Sequence, residues 1–320
     1  MKPIGGYFEL ELSKGEEYHK DAIKLNSARN ALEYFLYLEK YDKILLPYFT
    51  CDVILNTIKK TKILFDFYHI DINFEPLFDF DSLRETDLFL YTNYLGLKDQ
   101  FIKTIASKKI NLVVDNAQSF FSKPIYGVST FYSPRKFFGV PDGGYLYTNT
   151  RFNNSLPSAN SFENINHLLL RIDTDVERGY KYFLQNEERI DTMSIGAMSN
   201  LTMSILKSID YKNIAEKRRD NFNLLNSSLG KSNFFDLSII GDQVPMVYPY
   251  YSENINMRQK LIENKIYTPK FWNNVLNCVQ KNSIEYKFTE FIINLPIDQR
   301  YGDLEMDKIL ETINKIEKYE

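Results

Sequence analysis

The hydrophobic pattern of this 320-residue chain predicts an α/β fold built on a mostly parallel sheet. Short apolar runs alternate with amphipathic stretches through the first half of the sequence. One of them, Ile110 to Asp115, is apolar up to its last residue, as a strand covered on both faces must be. After Thr148 the character changes to longer helical patterns with few breakers.

Each element has a local reason. Ala22 to Asn26 reads as a strand, followed by Ser27 as an N-cap and a helix from Ala28 to Glu39. Lys43 to Leu46 is a strand stopped by Pro47, and Cys51 to Lys60 is a helix. Ile63 to Tyr68 and Asp87 to Thr92 are strands, Gln100 to Ser107 a helix, and Tyr145 to Tyr147 a strand after paired glycines. Residues 161–185 and 199–229 read as helical. Beyond them the pattern predicts strands at 235–240, 244–250 and 291–296 and helices at 255–264 and 303–319. The expected organisation is a large domain over residues 1–210 and a small C-terminal α+β domain over 211–320. In such sheets ligands bind at the carboxyl ends of the strands, where Asn26, Ser27, Asn93 and Asp115 fall.

Composition excludes several classes. The net charge of -3 gives no electrostatic reason to expect nucleic acid, and the basic run Lys217-Arg218-Arg219 reads as a solvated helix face. No run approaches the roughly 20 apolar residues of a membrane span, and the N-terminus lacks the apolar core of a signal peptide. Two distant cysteines, Cys51 and Cys278, make no disulfide framework, so a reducing compartment and a cytoplasmic protein are expected. The three histidines have no partners at metal-ligand spacing, so no metal is expected. The phosphate-loop, dinucleotide-loop and hydrolase-elbow motifs are all missing.

The chemistry concentrates around Lys136, in Ser133-Pro134-Arg135-Lys136, ahead of Asp142-Gly143-Gly144. Upstream lies Val114-Asp115-Asn116-Ala117-Gln118. A buried strand ending in an acid, followed by a lysine on a Gly-rich turn, is the layout of a pyridoxal 5'-phosphate site. The lysine forms a Schiff base with the aldehyde, and the acid keeps the pyridine nitrogen protonated. Lys136 alone reads equally as a surface lysine, and Ser133 as a turn serine or a phosphate contact. Asp115 reads as a pyridinium partner or a helix cap, with Gln118 beside the ring or within the cap. Ser27-Ala28-Arg29 opens a helix whose free N–H groups and dipole favour a phosphate, or is a plain cap with a solvated arginine.

Taken in order, these segments resemble the DegT/DnrJ sugar aminotransferase family of fold type I pyridoxal phosphate enzymes, in a short and divergent form. Asn26-Ser27-Ala28-Arg29-Asn30-Ala31-Leu32 is similar to that family's phosphate-binding N-S-G-T-x-A-L segment, and Pro47 to Cys51 to its P-x-x-T segment. Asn93-Tyr94-Leu95-Gly96 resembles H-x-Y-G, and Asp115 to Gln118 matches D-x-A-Q. Lys136 with Asp142-Gly143-Gly144 matches the K-x5-G-E-G-G spacing, and Asn294-Leu295-Pro296-Ile297 resembles the closing L-P strand. The departures are Ala28-Arg29 for G-T, Cys51 for a ring-stacking aromatic, Phe131 for a serine and Asp142 for a glutamate.

The resemblance implies a seven-stranded sheet, a homodimer, and an aminotransferase in which Lys136 is the catalytic lysine. It further implies cofactor contacts from Ser27, Ala28, Arg29, Asp115 and Gln118, with Cys51 at the ring-stacking position, and substrate contacts from Tyr48, Asn93 and Tyr94; with Phe131 at the family's serine, the phosphate contact is expected to shift to Ser133. The implied reaction moves an amino group from an amino acid, glutamate, to a keto sugar, nucleotide-linked, for surface polysaccharide or lipopolysaccharide. Two alternatives stand beside it: a sugar dehydratase using the same cofactor, in which histidine replaces the lysine, and a non-catalytic binding or sensor module on the same fold.

Overall fold

Alternate residues of the central strands face opposite ways, and the two sets build two cores. Ile44, Leu46, Leu88, Leu90 and Val113 pack beneath one pair of helices, while Leu45, Phe89, Tyr91, Leu112 and Val114 face the other side. This period-two alternation with both faces apolar is why the strands read as unbroken hydrophobic runs. The computed structural model describes residues 4–150 and 155–318.

The strands are β1 (Ile23–Leu25), β2 (Lys43–Pro47), β3 (Leu64–Ile70), β4 (Pro76–Leu77), β5 (Asp87–Thr92), β6 (Leu112–Asn116), β7 (Ser129–Tyr132) and β8 (Gly144–Tyr147). They form one sheet in the order β1-β8-β7-β6-β5-β2-β3-β4. Neighbours from β3 to β7 run parallel, while β1, β8 and β4 pair antiparallel. Helices α1 (Ala28–Leu38) and α2 (Asp52–Thr61) cover one face, and α3 (Asp99–Ala106) the other.

The remaining helices of the first part are α4 (Asn166–Asp173), α5 (Val176–Thr192) and α6 (Asn200–Lys207). The 19-residue α7 (Tyr211–Leu229) then leads to a two-stranded sheet of β9 (Val247–Tyr251) and β10 (Ile292–Pro296). With α8 (Met257–Glu263), α9 (Ile284–Phe291) and α10 (Asp303–Lys318) these complete the chain. A third core joins α7, α8 and α10 to β9 and β10 through Phe222, Leu261, Ile293 and Ile309. No helix among the described residues is long and apolar enough to cross a membrane.

Several expectations need correction. Among the described residues the sheet has eight strands rather than seven, the addition being β4 against the end of β3. Residues 235–240 are not a strand. Phe235 instead packs on Phe74 and Phe288, and the Leu237 carbonyl accepts from Asn226 Nδ2 at 3.0 Å, so the segment spends its apolar side chain and its backbone on tertiary contacts. The pattern over 161–185 is two helices, because Asp175 caps a new start by accepting from the Arg178 N–H. The pattern over 199–229 likewise breaks where Asp210 caps α7. Strand β7 and helix α9 were not expected from the pattern. Of the basic run, Arg218 is buried rather than solvated.

His19 shows how fully polar groups are absorbed beside the sheet. Its Nε2 donates to the Phe120 carbonyl at 2.7 Å, and its Nδ1 faces the Tyr147 hydroxyl at 3.2 Å, among the rings of Tyr18, Phe120, Tyr132 and Tyr145. Burial pushes its pKa from 6.5 down to about 4. The folded value lies below the unfolded one, so the stabilising contribution is whole above pH 6.5 and is lost as pH falls toward about 4. That displacement corresponds to about 3 kcal/mol. Urea unfolding of wild type should therefore weaken across that window by about this amount. His19→Gln, which keeps an amide donor but does not titrate, should lose that part of the pH dependence.

Candidate active site

Four loops at the ends of strands meet at one cavity. The first follows β1. Ser27 caps α1, its Oγ accepting from the Asn30 N–H at 3.1 Å, which leaves the first N–H groups of the helix, on Ala28 and Arg29, outside the helical bonding pattern. Strand β8 presses against this cap. A Cβ on Gly144 would come within 2.3 Å of the Ser27 carbonyl, and Gly143, at φ +117°, donates its N–H to the Asn26 carbonyl at 2.8 Å. Only glycine fits both demands.

The second loop follows β6. Asp115 is buried, and one carboxylate oxygen accepts from the Ala117 N–H at 2.8 Å. Burial pushes its carboxyl pKa up, while the charge of Lys136 and the Ala117 N–H pull it back. Gln118 is also buried; its Oε1 accepts from the Leu95 N–H at 2.9 Å, and its Nε2 has no partner among the described residues.

The third loop follows β7 and presents the lysine. Ser133 is buried, and Pro134–Lys136 form a single 3₁₀ turn with Lys136 exposed at the rim. The turn is gripped just beyond. The Phe137 carbonyl accepts from Gln299 Nε2 at 2.8 Å and from Arg218 at 3.5 Å, and the Arg218 guanidinium lies 4.6 Å from the Phe137 ring centroid. Arg218 also donates to the Met246 carbonyl, and burial lowers its pKa to about 10, so it stays charged at neutral pH. Downstream, the carboxylate of Asp142 accepts from Ser161 Oγ, the Ser199 N–H and Oγ, and Thr202 Oγ1, tying the loop to the start of α6.

The fourth loop follows β2. Cys51 sits at the start of α2, and burial pushes its thiol up to about 11, so it is an uncharged wall rather than a nucleophile. Helix α5 overhangs the opening. Arg29 ion-pairs with Asp191 and Arg135 with Glu187, so the guanidinium of Arg29 is engaged by the helix.

The resulting cavity of about 320 Å³ gathers Ser27, Ala28, Arg29, Cys51, Asp115, Gln118, Ser133 and Lys136. Tyr48, Asn93 and Tyr94 lie elsewhere. Tyr48 stacks on Phe67 and lines a separate concavity with His69 and Cys278. Asn93 is fully buried, donating to Asp99, Asn116 and Ser122 and accepting from the Lys98 N–H. Tyr94 donates to the Phe49 carbonyl within an aromatic cluster. Sequence reasoning missed Trp272 and, from α5, Phe183, Glu187 and Ile190, all of which border the cavity. The one available signal was that Trp272 is the single tryptophan. A second cavity, about 550 Å³, adjoins at Lys136 and is bordered by Arg171, Arg218 and Arg300.

The donor set fits pyridoxal phosphate. A helix N-terminus with Ser27 and Ser133 suits the phosphate, the buried acid Asp115 suits a protonated ring nitrogen, the orphaned Gln118 Nε2 suits the phenolic oxygen, and Lys136 suits the aldehyde. Among the described residues no cluster of three or more His, Cys, Asp or Glu is placed to hold a metal ion.

No protein-family model matches the sequence, and no curated protein does. Solved structures do match in fold. Spr1654 from Streptococcus pneumoniae, in its PLP form, has a TM-score of 0.62 at 17% identity over 93% of this chain and 87% of that one. A DegT DnrJ EryC1 StrS aminotransferase from Brucella abortus has a TM-score of 0.63 at 15% identity over 92% and 85%. The sugar aminotransferase CalS13 from Micromonospora echinospora has a TM-score of 0.59 at 12% identity over 92% and 87%. The chain has the fold of these aminotransferases.

Asp142 offers a direct test of how the lysine loop is held. Asp142→Ala strands four donors at a buried site and should cost about 3–5 kcal/mol in urea unfolding. Asp142→Asn retains one acceptor oxygen and should recover part of that loss.

Proposed function

We propose that this protein is a pyridoxal phosphate-dependent aminotransferase that moves an amino group from an amino acid, glutamate, to a keto sugar. The observation behind this reading is the convergence of Lys136, Asp115, the unpartnered Gln118 amide and the start of α1 on one cavity. The shared fold with aminotransferases supports it.

When bound, pyridoxal phosphate supplies an electron sink that acidifies the C–H bond next to the amino group. The chain's residues do the rest. The Ala28 and Arg29 N–H groups, with the Ser27 and Ser133 hydroxyls, hold the phosphate. Asp115 keeps a proton on the pyridine nitrogen, and the low-dielectric surroundings that raise its own pKa make a cation its best partner. Gln118 Nε2 donates to the phenolic oxygen. Lys136 Nζ, on its short turn, is the base that takes the α-proton of the donor.

The acceptor in this reading is a nucleotide-linked sugar destined for surface polysaccharide or lipopolysaccharide. The second cavity supports it by size and by its arginines, Arg171 and Arg300 among them. Residues 1–210 are read as the cofactor domain and 211–320 as the small domain. Exposed apolar side chains on α4 and α5, such as Leu169, Ile172 and Tyr180, support assembly as a homodimer, and two free cysteines suit the cytoplasm.

Wild type mixed with pyridoxal phosphate should develop a visible absorption band that fades on adding glutamate. Lys136→Ala should lose the band and at least about a hundredfold in amine transfer. Amine transfer by Lys136→Ala at the wild-type rate would overturn the reading.

A further inference from the structure

Trp272 borders the cavity that holds Asp115, Gln118 and Lys136, although it belongs to the C-terminal part of the chain. With Gln118 it also borders a small void beside Phe49 and Tyr94, which puts the indole at the Gln118 end of the cavity. Its position is heavily determined. The indole and the Phe49 ring meet at 76°, with centroids 4.6 Å apart. Its backbone is left-handed, at φ 60° and ψ 57°, a region that side-chain-bearing residues rarely adopt unless their surroundings impose it.

Those surroundings are visible. The Val275 N–H donates to the Trp272 carbonyl at 2.9 Å, and Val275 is fully buried. Asn274 Nδ2 donates to the Thr50 carbonyl at 3.0 Å, fastening this loop to the residue before Cys51. The other aromatic walls are differently engaged. Phe131 belongs to the core beneath α1, and Phe183 stands at the opening shared with the second cavity. Cys51 contributes a small, protonated thiol.

We infer that Trp272 is a cofactor-contacting residue, its indole supplying the aromatic surface against which the pyridine ring of pyridoxal phosphate rests. The inference rests on the reading of the site as a pyridoxal phosphate site. A protonated pyridine held by Asp115 is an electron-poor ring, and an indole face is the strongest partner for such a group among natural side chains. The C-terminal part of the chain thereby becomes part of the cofactor site.

The test is a titration of wild type, Trp272→Phe, Trp272→Leu and Trp272→Ala with pyridoxal phosphate. Affinity is read by equilibrium dialysis, and ring environment by circular dichroism in the visible band. Leu and Ala should weaken binding at least about tenfold and alter the dichroic band, while Phe should stay within about threefold of wild type. Leu retains apolar bulk, so it separates the aromatic surface from simple core filling, and it remains informative if Ala does not fold. Wild-type affinity and an unchanged band in Trp272→Leu would overturn the inference and leave the functional reading intact. Failure of wild type itself to bind pyridoxal phosphate would overturn both.

Discussion

At Gly144 the last strand of the sheet runs so close to the start of α1 that no side chain fits between them. The approach comes from antiparallel pairing of β1 with β8, in the register that sets Leu25 opposite Gly144. One side of the Lys136 loop follows from it. The helix N-terminus is brought against the loop that carries the lysine, Gly143 is bonded to Asn26, and Asp142, one residue earlier, is delivered to the donors at the start of α6. A loop held at so few points would ordinarily be mobile. This one is held at Asp142 and Gly143 on one side and, through the Phe137 carbonyl, by Arg218 and Gln299 on the other.

Arg218 and Asp115 are both taken out of water in this arrangement, and they are treated differently. Arg218 is satisfied by carbonyl oxygens and by the side chain of Gln299, a structural use of a buried cation. Among the described residues Asp115 accepts one N–H, from Ala117 through its Oδ1, and burial raises its pKa while the charge of Lys136 opposes that rise. A buried carboxylate with so little support is costly, and sites where such cost is tolerated are commonly sites of chemistry.

How much of this was legible in the sequence depends on the range of the interaction. The Ser27 cap, the apolar strand ending in Asp115 and the turn at Lys136 are each set by neighbours within a few positions, so they could be read directly. Asn93 and Tyr94 lie in an equally local motif, yet their side chains are used by the fold: Asn93 saturates its amide within a buried polar network, and Tyr94 packs in an aromatic cluster. Trp272 was hard to read because it lies more than eighty positions beyond every other residue that lines the cavity. Only the tertiary fold, through the contacts of Phe49 and Asn274, brings it to the cavity. Arg218 misled for a related reason. A basic run on a helix is normally solvated, but one residue of the three faces inward.

The grip on the Phe137 carbonyl also has a consequence for biosynthesis. Strands β1 to β8 are complete once residue 147 has been made, but Arg218 and Gln299, which hold the lysine turn, are translated much later. A nascent chain therefore carries its lysine before the clamp that aims it has been made. Any ligand that needs every wall of the cavity is captured only by the finished polypeptide. Truncated products emerging from interrupted translation would therefore forfeit the site, and without Met198, Phe235 and Val244 they would also leave one face of the sheet uncovered.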